Sequence, residues 1–296
     1  MLSILIPTYN FSVLKLVLEL HRQAKECLVV FEIRVYDDAS TLFTNENAEI
    51  NDLPECRYKI LDENIGRSAI RNLLAKDAFY EHILFLDADT LPKKQNFIAS
   101  YLPFTDTKTD VVFGGIIYQP EAPGKEKVLR WKYGRKREGR SVAQRQKNPY
   151  LSIISMAVFI RKKTFLTVNV FLDNRYGLDV LFSKTLEEQR ADILHIDNPV
   201  VHLGLEDSAT YLKKTENGLK TLSELEKKEL IPENYRPLQA YALYLKKLHM
   251  DHFYRSIFSK FKKPIHKNLL SRSPSLFLFD LYRLGYFLQL KNEEHA

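Results

Sequence analysis

Two aspartates separated by one residue, Asp87 and Asp89, directly follow a short apolar run at residues 83–86. The run has no polar member, which predicts a strand buried on both faces of a sheet. Ligands of open α/β sheets bind just beyond the carboxyl ends of the strands, so this strand would carry both carboxylates to a ligand. Carboxylates suit Mg²⁺ or Mn²⁺, ions that commonly share their coordination with substrate phosphates. The pair therefore predicts a metal and phosphate site, although an isolated Asp-x-Asp also occurs in ordinary turns.

Polar segments also follow three earlier predicted strands. We expect these strands near residues 2–6, 28–36 and 57–61, with helical patterns after the first and the third. The polar segments are Pro7-Thr8-Tyr9-Asn10, Asp37-Asp38-Ala39-Ser40 and Asn64-Ile65-Gly66-Arg67. Strands that alternate with helices favour a parallel, doubly wound sheet, in which these segments meet at one edge. After Asp89, we expect residues 90–92 to leave the sheet because Pro92 interrupts strand pairing.

The middle of the chain is less regular. Residues 110–118 predict a strand that contains a pair of glycines, and residues 126–137 predict a helix with the only tryptophan, Trp131. Six basic residues then populate a segment of little apolar content, residues 135–147. We expect a mobile loop there, which is either a solvated basic loop or a flap that closes over a phosphate-bearing substrate. Further short strands are expected at residues 152–160, 191–196 and 199–202.

The last part of the chain is predicted to be helical. Residues 173–177 indicate a turn, which leads into a helix with Asp179 in its first turn. From residue 208 onward the pattern is helical, with breaks expected at Pro264 and Pro274. Aromatic and basic residues alternate around residues 253–263, so these helices either pack on one another or lie on an anionic membrane. In the second case they would keep the protein near a lipid-borne partner.

Composition limits the class of protein. The chain has 296 residues, 45% hydrophobic and 27% charged, which is ordinary for a globular protein with a sizeable core. Two cysteines offer neither a disulfide framework nor a cysteine-built metal site, which fits a reducing cytoplasm. No signal-like start and no apolar run long enough to cross a bilayer is found. The formal net charge of +7 suggests an anionic partner: a nucleotide, a nucleic acid or an acidic membrane surface.

In their order and spacing, the segments around residues 7–10, 37–40, 64–72 and 87–89 resemble the nucleotide-sugar glycosyltransferases of family 2. Residues 176–182 look like the acceptor-side motif of that family. Residues 195–204 are similar to the segment that follows this motif in bacterial members, especially those that make surface polysaccharides. The resemblance covers roughly residues 1–205. It implies a GT-A (Rossmann-like) fold of class α/β, with a mixed, mostly parallel sheet flanked by helices and an α-helical extension at residues 206–296.

The resemblance also implies a reaction. A metal-dependent inverting glycosyltransferase of this kind would move a sugar from a nucleotide sugar, most simply a UDP-sugar, to a glycan or a lipid-linked acceptor. Mn²⁺ or Mg²⁺ would stabilise the charge on the departing diphosphate. We expect the enzyme in the cytoplasm, where the terminal helices could bring it to the inner face of the cell membrane as a peripheral protein.

The resemblance assigns roles to particular residues. Asp89 would ligate the metal directly, Asp87 would hold the ribose or the metal's waters, and His202 would be a further metal contact. Asp38, less readily Asp37, would accept a hydrogen bond from uracil. Asp179 would be the general base that takes the proton of the acceptor hydroxyl. The remaining nucleotide-sugar contacts expected are Pro7, Thr8, Tyr9, Asn64, Gly66, Arg67, Arg71 and Ala88.

One departure from the family pattern bears on activity. Family members commonly have Glu-Asp before the Leu-Phe pair, whereas this chain has Leu178-Asp179 and lacks the glutamate. A catalytically degenerate member therefore stays an alternative. A nucleotidyltransferase on a similar sheet is another, but it would show a Gly-rich basic loop after the first strand, where this chain has Pro7 and Thr8. A nucleic-acid-binding protein would explain the charge, yet no compact basic and aromatic module is present, so no nucleic-acid partner is expected.

Overall fold

A computed structural model of the protein describes residues 1–170 and 175–293. In this part of the chain, ten strands form two sheets. In chain order the strands are β1 (Leu2–Thr8), β2 (Phe31–Asp37), β3 (Cys56–Ile60), β4 (His82–Leu86), β5 (Thr90–Pro92), β6 (Val111–Phe113), β7 (Ile116–Ile117), β8 (Ala157–Arg161), β9 (Ile193–His195) and β10 (Val200–His202). Eleven α-helices accompany them within the described residues: α1 (Leu14–Glu26), α2 (Thr44–Ala48), α3 (Arg67–Asp77), α4 (Val128–Tyr133), α5 (Val142–Gln146), α6 (Lys162–Val168), α7 (Asp179–Glu188), α8 (Ser208–Lys227), α9 (Pro237–Lys247), α10 (Asp251–Leu269) and α11 (Leu276–Glu293).

The larger sheet has the strand order β3-β2-β1-β4-β8-β6-β9. The first four strands in this order are mutually parallel, as the alternation of strands and helices predicts. Strand β8 runs antiparallel to both β4 and β6, so the sheet is mixed. The side chains of β1, β2 and β4 are almost all buried, because helices cover both faces of a sheet of this kind. The expected fold, a mixed and mostly parallel sheet flanked by helices, is confirmed.

The smaller sheet has the order β5-β10-β7 and differs from the prediction in two ways. Residues 90–92 leave the larger sheet as expected, but they form edge strand β5 of the smaller sheet, where a proline is tolerated because one side of the strand needs no donor. The strand expected at residues 110–118 is two strands, β6 in the larger sheet and β7 in the smaller. The chain crosses between the sheets at Gly114 and Gly115. A Cβ atom at Gly114 would lie 2.2 Å from the carbonyl oxygen of Asn198, and Gly115 has a φ of +98°, so both positions favour glycine.

The basic segment at residues 135–147 is not the mobile loop that its composition suggested. It contains a π-helical turn, Gly134–Glu138, and helix α5. Helix α5 begins with a capping box, in which Ser141 and Gln144 each bond the backbone of the other. Arg145 is only 3% exposed. It donates to the carbonyl oxygens of Phe113 and Ile196, at 2.9 and 2.8 Å, so this arginine ties the strands together rather than facing a substrate.

The chain divides into two compact units. The first comprises residues 1–119, 137–174 and 182–204, and it contains both sheets; the second comprises residues 120–136, 175–181 and 205–296. In the second unit, Phe258, Phe279 and Tyr282 belong to a buried cluster that joins helices α10 and α11. Pro264 does not break the chain as expected, because α10 continues through it. The side chain of Pro264 is exposed, so the carbonyl group that loses its helical partner can bond to water.

Two further predictions have simple outcomes. The turn expected at residues 173–177 begins with Asp173 and Asn174, which lie outside the described residues. The helix expected after it is α7, with Asp179 in its first turn. Within the described part of the chain, none of the helices is both long and apolar enough to cross a bilayer.

Candidate active site

Asp89 and His202 are brought together by the pairing of β5 with β10. The antiparallel register places Thr90 opposite His202, and the N–H of Leu203 donates to the carbonyl oxygen of Asp89 at 2.8 Å. As a result, Oδ2 of Asp89 lies 3.1 Å from Nε2 of His202. The imidazole is 4% exposed and the Asp89 side chain 29% exposed, so the carboxylate is the member of the pair that a ligand can reach.

Two neighbours shape this pair. Gly204 leaves space beside Asp89, because a Cβ atom at this position would lie 1.9 Å from Oδ2 of the carboxylate. The ring of Tyr118 packs edge-on against the imidazole of His202, with 5.3 Å between ring centroids. The hydroxyl of Tyr118 donates in turn to Glu138 in the π-helical turn. The contact with the Tyr118 ring and the hydrogen bond with Asp89 therefore fix the orientation of His202.

A divalent cation fits this donor set. A carboxylate oxygen and an imidazole nitrogen 3.1 Å apart form a mixed pair that Mn²⁺ or Mg²⁺ accepts. Among the described residues, no group of three or more His, Cys, Asp or Glu side chains could hold a metal by itself. The chain would thus supply part of the coordination and leave positions for water and substrate phosphates. Ligation through Nε2 would require the tautomer that carries its proton on Nδ1, a buried nitrogen with no hydrogen-bond partner in the described structure.

Asp87 faces two arginines rather than His202. Its carboxylate accepts from Nη2 of Arg67 at 2.7 Å and also from Nη2 of Arg71. Arg71 also donates to the carbonyl oxygen of Ser155 at 2.6 Å, and Arg67 to the Ser155 hydroxyl at 3.2 Å. Burial acts to raise the pKa of Asp87, but the two guanidinium groups outweigh it and the pKa is lowered. The metal role expected for Asp87 stays a prediction, since its nearest partners are cations.

The two arginines owe their position to Asp38. This carboxylate is 5% exposed, and its oxygens accept from the backbone N–H groups of Ile65 and Gly66 at 2.8 and 2.9 Å. Gly66 has a φ of +82°, a conformation that favours glycine, and helix α3 begins at the next residue. Asp38 thereby holds the turn that places Arg67 and Arg71 on the first two turns of α3. Its expected contact with uracil stays a prediction.

Asp37 has a structural role. It is fully buried and accepts from the hydroxyl of Tyr58 at 2.6 Å and from the N–H of Ser40 at 2.8 Å. The pKa of Tyr58 is raised by burial and by this carboxylate. Both oxygens of Asp37 are thus engaged inside the sheet, just as both oxygens of Asp38 are engaged by the turn before α3.

The segment after β1 joins the same edge. Thr8 is buried and its carbonyl oxygen accepts from the N–H of Asp38 at 2.9 Å, whereas the side chain of Tyr9 is 54% exposed. Asn10 ties this loop to the loop after β2, because its Oδ1 accepts from the N–H of Thr41 at 2.9 Å. An exposed ring on a fixed loop suits a stacking contact with a flat ligand, the role expected for Tyr9. Pro7 is the half-buried residue of β1, and Asn64 donates to the carbonyl oxygen of Asp38.

Asp179 belongs to the second unit, where its side chain is exposed at the start of α7. The preceding Gly177 has a φ of +99°, and a Cβ atom there would lie 3.0 Å from the Cα of Gly218. Glycine is therefore required at the turn that leads to Asp179. The predicted position of this acid, at a helix start after a glycine turn, is found; its catalytic role is untested.

Sequence reasoning missed three contributors. Ser155 holds both arginines, Tyr118 orients His202, and Gly204 leaves room for Asp89. Only Gly204 carried a sequence signal, since a glycine two residues after a strand-end histidine indicates a close approach of backbone to another group. Ser155 lies in a segment that reads as an ordinary strand, and nothing in it indicates a contact with α3.

The model of the family described as "Glycosyl transferase family 2" matches residues 3–165, more than half of the chain. This protein belongs to glycosyl transferase family 2. The match includes β1 to β4, the loops that carry Asp38 and Asp87, and Asp89 itself. The class of enzyme expected from the sequence, a glycosyltransferase, is confirmed by this membership. A search among curated protein sequences finds no match.

Solved structures share the fold. The mannosyltransferase PcManGT from Pyrobaculum calidifontis, in complex with GDP-Man and Mn²⁺, is 17% identical, with a TM-score of 0.54 over 76% of this chain. The present chain spans 64% of that mannosyltransferase. Glucosyl-3-phosphoglycerate synthase from Mycobacterium tuberculosis, in complex with Mg²⁺ and UDP, is 14% identical, with a TM-score of 0.51 over 79% of this chain and 81% of its own. The match with TarS residues 1–349 from S. aureus covers 99% of this chain and 91% of the TarS chain, at 14% identity and a TM-score of 0.48. The GT-A fold expected from the sequence is thus confirmed.

Proposed function

We propose that this member of family 2 is a metal-dependent inverting glycosyltransferase, which transfers a sugar from a UDP-sugar to a glycan or lipid-linked acceptor. The observation that carries the proposal is the pairing of Asp89 with His202 beside a second acid, Asp87, that holds two arginines. A cation-binding pair and a cationic pair next to each other match the needs of a departing nucleoside diphosphate.

Asp89 and His202 would hold Mn²⁺ or Mg²⁺ through Oδ2 and Nε2. When bound, the ion supplies positive charge that stabilises the leaving diphosphate. His202 is kept in orientation by Tyr118, and Gly204 keeps the approach to Asp89 open. The two solved structures with the higher TM-scores contain Mn²⁺ or Mg²⁺ together with a nucleotide or nucleotide sugar, which supports the same class of ligand here.

Arg67 and Arg71 would provide the second source of positive charge. The side chain of Arg67 is 46% exposed and that of Arg71 8% exposed, so a phosphate can reach Arg67 more easily. Because Asp87 and Ser155 already fix both guanidinium groups, their orientation needs no rearrangement when a diphosphate binds. Asp87 would thus serve the nucleotide sugar indirectly, through the arginines.

Asp179 is the proposed general base. An inverting displacement requires a carboxylate to take the proton of the acceptor hydroxyl while that oxygen attacks the anomeric carbon. Asp179 is an exposed acid at the start of α7, directly after the turn that contains Gly177. Residues 1–205 would form the catalytic domain, and Tyr9 and Asp38 would lie beside the base of the nucleotide. The acceptor class, cell-surface polysaccharide, and a location at the inner face of the cell membrane follow from the family resemblance.

A hydrolysis screen against a panel of UDP- and GDP-sugars, with and without Mn²⁺, tests this proposal. We expect slow release of nucleoside diphosphate from one preferred donor, only in the presence of the metal, and none from Asp89→Asn. Binding of UDP and Mn²⁺ without turnover of any donor would support the alternative of a catalytically degenerate member. Turnover that is indifferent to metal chelation would contradict the assignment of Asp89 and His202.

A further inference from the structure

Helix α10 carries an apolar stripe that is exposed. Phe253, Ile257 and Phe261 follow one another at intervals of four residues, and their exposed fractions are 62%, 43% and 56%. Residues four apart lie on the same face of a helix, so the three side chains form one stripe. The buried face of α10 is a different one, formed by Phe258, Ile265 and Leu269. Exposed apolar side chains in such a row indicate a surface that a partner covers.

The stripe is bordered by lysines. Lys260, Lys263 and Lys267 are exposed on the adjoining face of α10. The region around the helix is the source of the charge of the whole chain: residues 237–275 contain eight Lys and Arg against one acid, Asp251, a net charge of +7. The rest of the chain has 36 basic and 36 acidic residues and is therefore neutral.

The helix before it has the same character. Tyr241, Tyr244 and Leu248 are 65%, 59% and 47% exposed, at spacings that place them on one face of α9 and its end. Lys246 and Lys247 lie in the last turn of this helix. Met250, in the connection to α10, is 44% exposed. Two consecutive helices therefore each combine exposed apolar side chains with lysines.

We propose that α9 and α10 form a docking surface for an anionic lipid bilayer. Amphipathic helices that lie in a membrane interface bury aromatic and aliphatic side chains near the acyl boundary and place lysines among anionic headgroups. Lysines alone would serve a nucleic acid equally well, but exposed Ile257, Leu248 and Met250 gain nothing from a phosphate backbone. This surface goes beyond the proposed sugar transfer and does not depend on it, because none of its residues belongs to the candidate active site.

Flotation of the full chain with vesicles tests the proposal. We expect binding to vesicles of phosphatidylcholine and phosphatidylglycerol in equal parts, weak binding to pure phosphatidylcholine, and release at high salt. The triple variant Lys260→Gln, Lys263→Gln, Lys267→Gln should bind at least about tenfold more weakly. The matched control replaces three exposed lysines of α8, Lys213, Lys220 and Lys227, by glutamine and should bind like the original chain.

A second set of variants tests the apolar stripe. Phe253→Ser, Ile257→Ser and Phe261→Ser together should abolish vesicle binding, whereas the exposed control set Leu28→Ser, Val30→Ser and Leu42→Ser should not. Ile257→Trp should show a blue shift of its fluorescence when anionic vesicles are added, which reports insertion by a chain that is still folded. Absence of binding to both vesicle types, or equal binding to both, would overturn the proposal. A stable dimer in light scattering that the three serine substitutions dissociate would also overturn it, because a second copy would then cover the stripe.

Discussion

Oδ2 of Asp89 lies 3.1 Å from Nε2 of His202, although 113 residues separate the two in the chain. The contact depends on the register in which β5 pairs with β10. Thr90 lies opposite His202, and the backbone N–H of Leu203 donates to the carbonyl oxygen of Asp89. Asp87, only two residues before Asp89, faces two arginines instead. The two acids of one short motif thus have different partners, and we expect them to have different functions.

Asp89→Asn and His202→Ala should each remove metal-dependent binding of UDP. Each variant removes one of two ligands of a single ion, so the second substitution should add little to the first. We expect a coupling of about 1–3 kcal/mol in a double-mutant cycle, measured by calorimetric titration of UDP with Mn²⁺. Asp62→Asn, an exposed acid elsewhere in the first unit, is the control for the loss of charge. Additive effects of the two substitutions would mean that Asp89 and His202 do not share a ligand.

Asp179→Asn should separate binding from chemistry. An amide cannot take the acceptor's proton, so the rate of transfer should fall by about 10²–10⁴, while UDP binds as before. Glu188→Gln, at the other end of α7, is the control on the same helix. Transfer assays with the preferred donor, and titration of UDP, give the two readouts. Retained transfer by Asp179→Asn would place the base elsewhere, and lost UDP binding would give this acid a role in holding the nucleotide.

The sequence was sufficient to predict the parallel half of the larger sheet and the acids at its edge. An unbroken apolar run such as residues 83–86 marks a buried strand locally, and its polar end follows from topology. Strand β5 was missed because the pairing that accommodates Pro92 comes from residues more than a hundred positions later. The partners of Asp87 could not be predicted from the sequence for the same reason. Ser155 and Arg71 meet only because an antiparallel strand, β8, lies next to β4.

The basic segment at residues 135–147 shows a second limit of prediction from sequence. Its composition indicated a solvated loop or a flap, yet Arg145 is buried and donates to four backbone carbonyl groups, those of Phe113, Gly114, Arg140 and Ile196. Burial of a guanidinium depends on acceptors that the fold places around it, and local charge density carries no information about them. A capped helix of five residues within a charged segment is equally hard to recognise from composition.

Arg145→Gln should therefore act on stability rather than on donor affinity. The shorter side chain cannot reach all four carbonyl groups, and buried acceptors without a donor cost about 1–3 kcal/mol in the free energy of unfolding. Urea denaturation measures this loss of stability. The control is Arg140→Gln, the same substitution at an exposed arginine. A variant of unchanged stability that binds the nucleotide sugar more weakly would restore the interpretation of this segment as a substrate flap.

His195 should make the stability of the protein depend on pH. Its ring is buried between Arg145, which donates to Nδ1 at 3.3 Å, and the carbonyl oxygen of Pro149, 3.0 Å from Nε2. Burial lowers the pKa of His195, the hydrogen bond to Pro149 opposes this, and the charge of Arg145 adds to it. The imidazole is thus held neutral in the folded state, whereas in the unfolded chain it takes up a proton near its ordinary pKa of about 6.5.

The sign of the effect follows from proton uptake. Below about pH 6.5 the unfolded state binds more protons than the folded state, so the free energy of unfolding should fall as the pH falls. His195→Gln has no titrating group at this position, and its amide can still donate to Pro149. We expect a smaller loss of stability between neutral and mildly acidic pH for this variant than for the original chain, measured by urea denaturation. His249→Gln, which replaces an exposed histidine, is the control for the loss of an imidazole. An identical slope for His195→Gln would show that the ring is protonated equally in both states, which the contact with Arg145 opposes.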